Sequence, residues 1–152
     1  MENRRSLNDG VTLLAAPLAV LLLATAQPDA PRPKVLAGPE IIAAFEGKTV
    51  AGAYHDGLAF RETYFNGGKI DYWDPRATST GNWSVVNNLF CTFYGSMTGG
   101  CFTIVQISGN CFDFYAATDS EQQALAGAAR ADYTARGAVQ GAASTCPDDL
   151  QV

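Results

Sequence analysis

Between Thr49 and Ala116 the chain is interrupted by turn signals at intervals of roughly 8 to 12 residues, and that spacing allows little except a series of antiparallel hairpins. His55-Asp56-Gly57, Asn66-Gly67-Gly68, Asn87-Asn88 and Ser108-Gly109-Asn110 carry the residue types that tolerate the positive φ angles of tight hairpins. The runs between them are rich in β-branched and aromatic residues: 49–54, 58–65, 69–73, 82–86, 89–94, 101–107 and 111–116. A looser loop over 74–80, containing Pro75, and a wider one over 95–100 complete the connections. The expected fold is all-β, an antiparallel meander of seven or eight strands that curls into a half-barrel or small barrel to hide its edges.

A short helix precedes the meander. Pro39 suits its first turn, Ile41, Ile42 and Phe45 form an apolar stripe, and Gly47 can end it in a left-handed cap, so the helix is expected to plug one side of the sheet. After the seventh strand, 119–131 has helix-forming composition and 133–139 alternates as an eighth strand does.

The first 26 residues read as a secretory signal peptide: Arg4 and Arg5, an apolar run over 11–26, and small residues at Ala24-Thr25-Ala26. Arg4-Arg5-Ser6-Leu7 also resembles part of a twin-arginine export signal. The rival is an uncleaved membrane anchor, but a spanning helix needs roughly 17 to 25 apolar residues, and the polar, Pro-rich stretch that follows could not continue a helix. The expected organisation is therefore a signal peptide over 1–26, a Pro-rich linker over 27–37 and one domain over 38–152, placed in the periplasm or secreted. The net charge is −5 with or without the signal segment, which argues against nucleic acid or anionic lipid as a partner and leaves the membrane only through an uncleaved signal segment.

Export changes the meaning of the four cysteines, which become disulfide candidates. In the hairpin centred near Met97, Cys91 and Cys101 fall opposite each other, leaving Cys111 to pair with Cys146. The competing pair, Cys101 with Cys111, fails because the turn at 108–110 sets Cys111 opposite a residue near Gln106. Zinc is disfavoured, since the cysteines lack any close pair and His55 is the sole histidine.

Catalytic signals are sparse. His55 sits in a predicted turn beside Asp56, and no phosphate loop, metal-ligand cluster or cofactor motif is present, so no cofactor is expected and no residue is assigned as catalytic. Glu62, Asp71, Asp74 and Asp113 are the carboxylates available for acid-base work on adjacent strands, with outward-facing solubility as their plainer role. Aromatic residues are more numerous than one small core requires. Tyr64 shares a strand face with Glu62, which points to accessibility, and the expected ligand-binding residues are Tyr64, Trp73 and Trp83.

The segments Leu36-Ala-Gly-Pro-Glu, Gly47-Lys-Thr, Tyr64-Phe-Asn-Gly-Gly, Gly81-Asn-Trp83-Ser-Val and Cys91 followed by Cys101 resemble uncharacterised secreted β-meander proteins of proteobacteria. That resemblance implies a helix before the hairpins and an extracytoplasmic location, with no assigned activity. Two lines of function follow from the residues: a binding or accessory domain for a small molecule, glycan or envelope protein, or a small hydrolase or lyase using paired carboxylates. A structural subunit of an envelope complex fits equally.

Overall fold

In the computed structural model, which describes residues 32–117 and 132–147, the hairpins close on themselves. The strands are β1 (Lys34–Val35), β2 (Lys48–Tyr54), β3 (Ala59–Tyr64), β4 (Lys69–Trp73), β5 (Thr78–Val86), β6 (Leu89–Tyr94), β7 (Gly100–Ser108), β8 (Cys111–Ala116) and β9 (Ala135–Val139), with helix α1 (Gly38–Phe45) between β1 and β2. Strands β2 to β9 pair in order, β9 sits between β8 and β2, and the eight form a closed antiparallel barrel that β1 joins from outside through β7. Closure removes the free sheet edges that an open meander would expose.

Local chemistry accounts for most of this. Asn87 and Asn88 both take positive φ, 51° and 62°, the mirror-image turn that matches the twist of the strands on either side. At the seam where β9 closes onto β2, Gly52 faces Gly137 in register, and a Cβ on Gly52 would lie only 1.9 Å from the Arg136 carbonyl oxygen. Glycine is required there because the two backbones approach too closely for any side chain.

Helix α1 fills one end of the barrel. Glu40 accepts from the Ala37 backbone N–H at 2.9 Å, and the Asn88 side chain accepts from Gly38 N–H at 2.8 Å, fastening the helix start to a hairpin turn. Phe45 is fully buried, with Tyr64, Phe90, Phe112 and Phe114 at ring distances of 5.2 to 5.7 Å. The turn at 66–68, Asn87-Asn88 and the turn at 109–110 lie at this plugged end, while the connections at 55–58, 74–77 and 95–99 surround the other end.

The bridges are Cys91–Cys101, across directly paired positions of β6 and β7, and Cys111–Cys146, which ties the chain after β9 to the start of β8. The second lies outside the barrel in a small cluster with Val105, Ile107 and Tyr115. Two structural disulfides are consistent with an oxidising, extracytoplasmic environment. Among the described residues, no helix is long and apolar enough to cross a membrane.

Several boundaries differ from those expected. Lys34–Val35 pairs with β7 and Leu36 is buried, so ordered structure starts inside the segment read as linker. β5 begins at Thr78, well before Asn82, because Thr78-Ser79-Thr80 lacks the apolar alternation that marks a strand, although Ser79 points inward opposite Tyr72. The eighth barrel strand is present as Ala135–Val139. The expected signal peptide and the helical reading of 119–131 lie outside the described residues.

Candidate functional site

Strand β3 turns Phe60, Glu62 and Tyr64 into the barrel, so its alternation carries a carboxylate into an otherwise apolar face. Glu62 is 7% exposed. Its two oxygens are held by phenols: Oε2 accepts from the Tyr64 hydroxyl at 2.5 Å, and Oε1 accepts from the Tyr94 hydroxyl. A second chain of hydroxyls runs beside it. Tyr54 donates to Tyr72 at 3.3 Å, and Tyr72 donates to Asp74 Oδ2 at 2.8 Å. The other Asp74 oxygen caps its own loop, accepting from the backbone N–H groups of Arg76 and Ala77 at 2.7 Å each.

These groups lie at the end of the barrel away from α1, and there the interior is not completely filled. A cavity of about 200 Å³ opens at the mouth, with Glu62 in its wall, the rings of Tyr54, Phe60, Tyr94 and Phe102 around it, and Met97 at its lip. For scale, a dry cavity of roughly 150 Å³ is large enough to take benzene. The loop over 95–99 that carries Met97 supplies one side of the opening, where Ser96 bonds Ser79 across the rim at 2.8 Å.

The electrostatics of the pocket have one sign. Burial pushes the Glu62 carboxyl above its ordinary value, against the opposing pull of the Tyr64 and Tyr94 hydroxyls, which favour the ionised form. Burial likewise raises Tyr64, Tyr94, Tyr72 and Tyr54, so all four phenols remain protonated donors at neutral pH. Among the described residues, Lys, Arg and His are absent from the cavity lining. Among the described residues, the carboxylate and the negative faces of the aromatic rings therefore act without a counter-charge in the lining.

Of the residues expected to bind a ligand, Tyr64 and Trp83 meet in the core while Trp73 lies apart from them. Tyr64 and Trp83 pack on each other in the core at 5.8 Å between ring centres, and the Trp83 indole N–H donates to the Phe65 carbonyl at 3.0 Å. Trp73 is on the outer face of β4, 40% exposed, with the Arg61 guanidinium over its ring at 5.1 Å. Tyr64 is buried and not accessible, because the Glu62 beside it is itself inside the barrel. Of that expected site, Tyr64 alone touches the pocket chemistry, as a donor to Glu62.

The carboxylates are likewise separated. Asp71 points outward from β4, and Asp113 lies outside the barrel wall in a bidentate pair with Arg136 at 2.5 and 2.9 Å. Glu62 and Asp74 are both at the mouth, but each already has its oxygens occupied by hydroxyl or backbone donors. His55 packs edge-on against Tyr133 at 5.4 Å, outside the cavity lining. Among the described residues, no three His, Cys, Asp or Glu side chains converge as metal ligands.

Sequence reasoning treated Glu62 as a surface carboxylate and so missed its place at the pocket. The signal that identifies it is its position at i+2 from Phe60 and i−2 from Tyr64, a charge in register with an apolar strand face. Tyr54, Tyr94 and Met97 carry no such mark, since nothing local to them records that three distant turns meet at one rim. No family model, curated protein or solved structure matches the chain.

Proposed function

We propose that this protein is an exported binding module, periplasmic or secreted, that holds one small organic molecule in the mouth of its barrel. The observation carrying this reading is the partly unfilled interior, with a buried carboxylate and a ring of aromatic side chains at the open end and an efficient plug at the other. Eight-stranded barrels have an interior just wide enough to be packed by side chains or to hold a single small ligand, and binding sites concentrate at barrel mouths. The Cys91–Cys101 bridge braces the two strands that carry the 95–99 loop of the rim, and disulfides suit an oxidising compartment.

Native mass spectrometry on protein recovered from a bacterial envelope tests this directly, with Ala135→Leu as the comparison. Ala135 lines the cavity and is 5% exposed, so a leucine there projects into the space a ligand would use. The expected result is an added small mass on the wild type that is lost on denaturation and reduced in Ala135→Leu. A bare wild-type chain after incubation with envelope extract would count against the pocket as a ligand site.

A further inference from the structure

We propose that the ligand of the barrel mouth is a small organic ammonium cation. This rests on the reading of the mouth as a binding pocket and specifies the chemistry of its occupant. Three observations converge on it.

First, the charged group in the cavity wall is a carboxylate, Glu62, and its oxygens are satisfied by two neutral phenols with no cation among them. Hydrogen bonds from hydroxyls solvate a buried carboxylate but leave its charge uncompensated, which is costly inside a protein. A positive ligand seated against Glu62 supplies that compensation. Second, aromatic rings make up much of the remaining wall, and Tyr54, Phe60, Tyr94 and Phe102 border the same space. Aromatic walls attract a cation over their faces and accept the methyl or methylene groups of an alkylammonium at the same time, the combination found wherever quaternary ammonium groups are recognised. Third, among the described residues the cavity of about 200 Å³ has no Lys, Arg or His in its lining, and Asp74 adds a second negative charge behind Tyr72. An anion would meet the Glu62 carboxylate with no cation among the described residues of the wall to offset it.

The geometry disfavours other occupants. A phosphate or carboxylate ligand finds no cationic donor among the described residues of the lining, only neutral hydroxyls of Thr92, Thr98, Thr134 and the phenols, with the Glu62 carboxylate in the same wall. A sugar needs several free polar groups at the walls, while most of the lining is ring edge, ring face and glycine. A neutral apolar molecule would fit the rings but leave the charge of Glu62 sealed beneath it.

The test compares each cation with a neutral molecule of similar shape, by isothermal titration calorimetry on the oxidised wild-type protein. Choline is paired with 3,3-dimethyl-1-butanol, and n-butylammonium with n-butanol. The expected result is saturable binding of at least one cation, tenfold or more tighter than its neutral counterpart, with the preference abolished in Glu62→Gln. The wild-type comparison does not depend on any variant folding, and thermal melting of Glu62→Gln shows whether its loss of preference is local. Equal affinity within both pairs overturns the cationic assignment while leaving a pocket that binds. A preference unchanged in Glu62→Gln removes Glu62 from recognition and also overturns it. No binding by any of the four overturns it as well, and a retained mass that Ala135→Leu displaces would still support the pocket with a different occupant.

Discussion

Glu62 and Asp113 are both buried carboxylates, and their neighbours give them opposite consequences. Asp113 faces Arg136 through two charge-assisted bonds, so Asp113→Ala leaves a guanidinium at 3% exposure without that carboxylate. Breaking a buried pair from one side costs about 3 to 5 kcal/mol, to be read as a lower midpoint in urea unfolding. Among the described residues, Glu62 faces only neutral hydroxyls, from Tyr64 on its own strand and Tyr94 on β6, with Tyr72 and Tyr54 on the flanking strands and Asp74 beyond them. Its carboxyl is held above 4.5, so the folded protein binds that proton more tightly than the unfolded chain. Stability from this group is therefore fullest below the unfolded value and declines as pH rises toward the raised folded value. Asp74 and Glu40 are lowered and act in the other sense, their contributions disappearing as pH falls through their folded values. Glu62→Gln is expected to lose the Glu62 slope and to melt at or above the wild type at pH 7; a lower melting temperature at every pH would contradict this. The inward direction of Glu62 was legible in its alternation with Phe60 and Tyr64, but the habit of placing charges in water concealed it. What permits the burial is a pair of hydroxyls, one from a strand three positions away in the barrel, and no local sequence pattern reports that.

At the level of elements, the hairpins were readable because their turns are chemically marked, whereas β5 lost its first turn of strand to a run of small polar residues. Helix α1 was likewise marked by Pro39, Ile41, Phe45 and Gly47, and Phe45 is the residue through which it plugs the barrel. Phe45→Ala should cost about 3 to 5 kcal/mol, since the surrounding rings cannot collapse into the space, while Ile42, 41% exposed on the same helix, should tolerate alanine with little change in urea midpoint. The pairing Cys91 with Cys101 was legible because a hairpin register relates its two sides. Removing each bridge separately distinguishes their roles. Cys91–Cys101 spans 10 residues and Cys111–Cys146 spans 35; loop-closure entropy alone then gives about 3 and about 4 kcal/mol. Calorimetry on the two double-alanine variants should show the larger loss for the longer loop, and equal losses would mean that packing around the sulfurs outweighs chain entropy.

For the molecule as a whole, closure of the barrel turns a list of aromatic residues into three populations that alternation could not separate. Trp83 and Tyr64 fill the core against the plug, Trp73 stays outside under Arg61, and the rings that meet Glu62 arrive from β2, β3, β6 and β7. The fold was therefore legible and the site was not, because the mouth exists only once the last strand has returned to the first. The measurement that tests the central claim most directly uses Met97, which stands at the pocket lip and is one of two methionines in the chain, the other being Met1. In protein labelled with ¹³C at the methionine methyl, the Met97 resonance is followed while choline or n-butylammonium is added to the wild type and to Ala135→Leu. A saturable shift with at least one of them in the wild type that is lost in Ala135→Leu is the expected result, and a Met97 signal that stays in place at millimolar concentrations of both would contradict a cation seated in the barrel mouth.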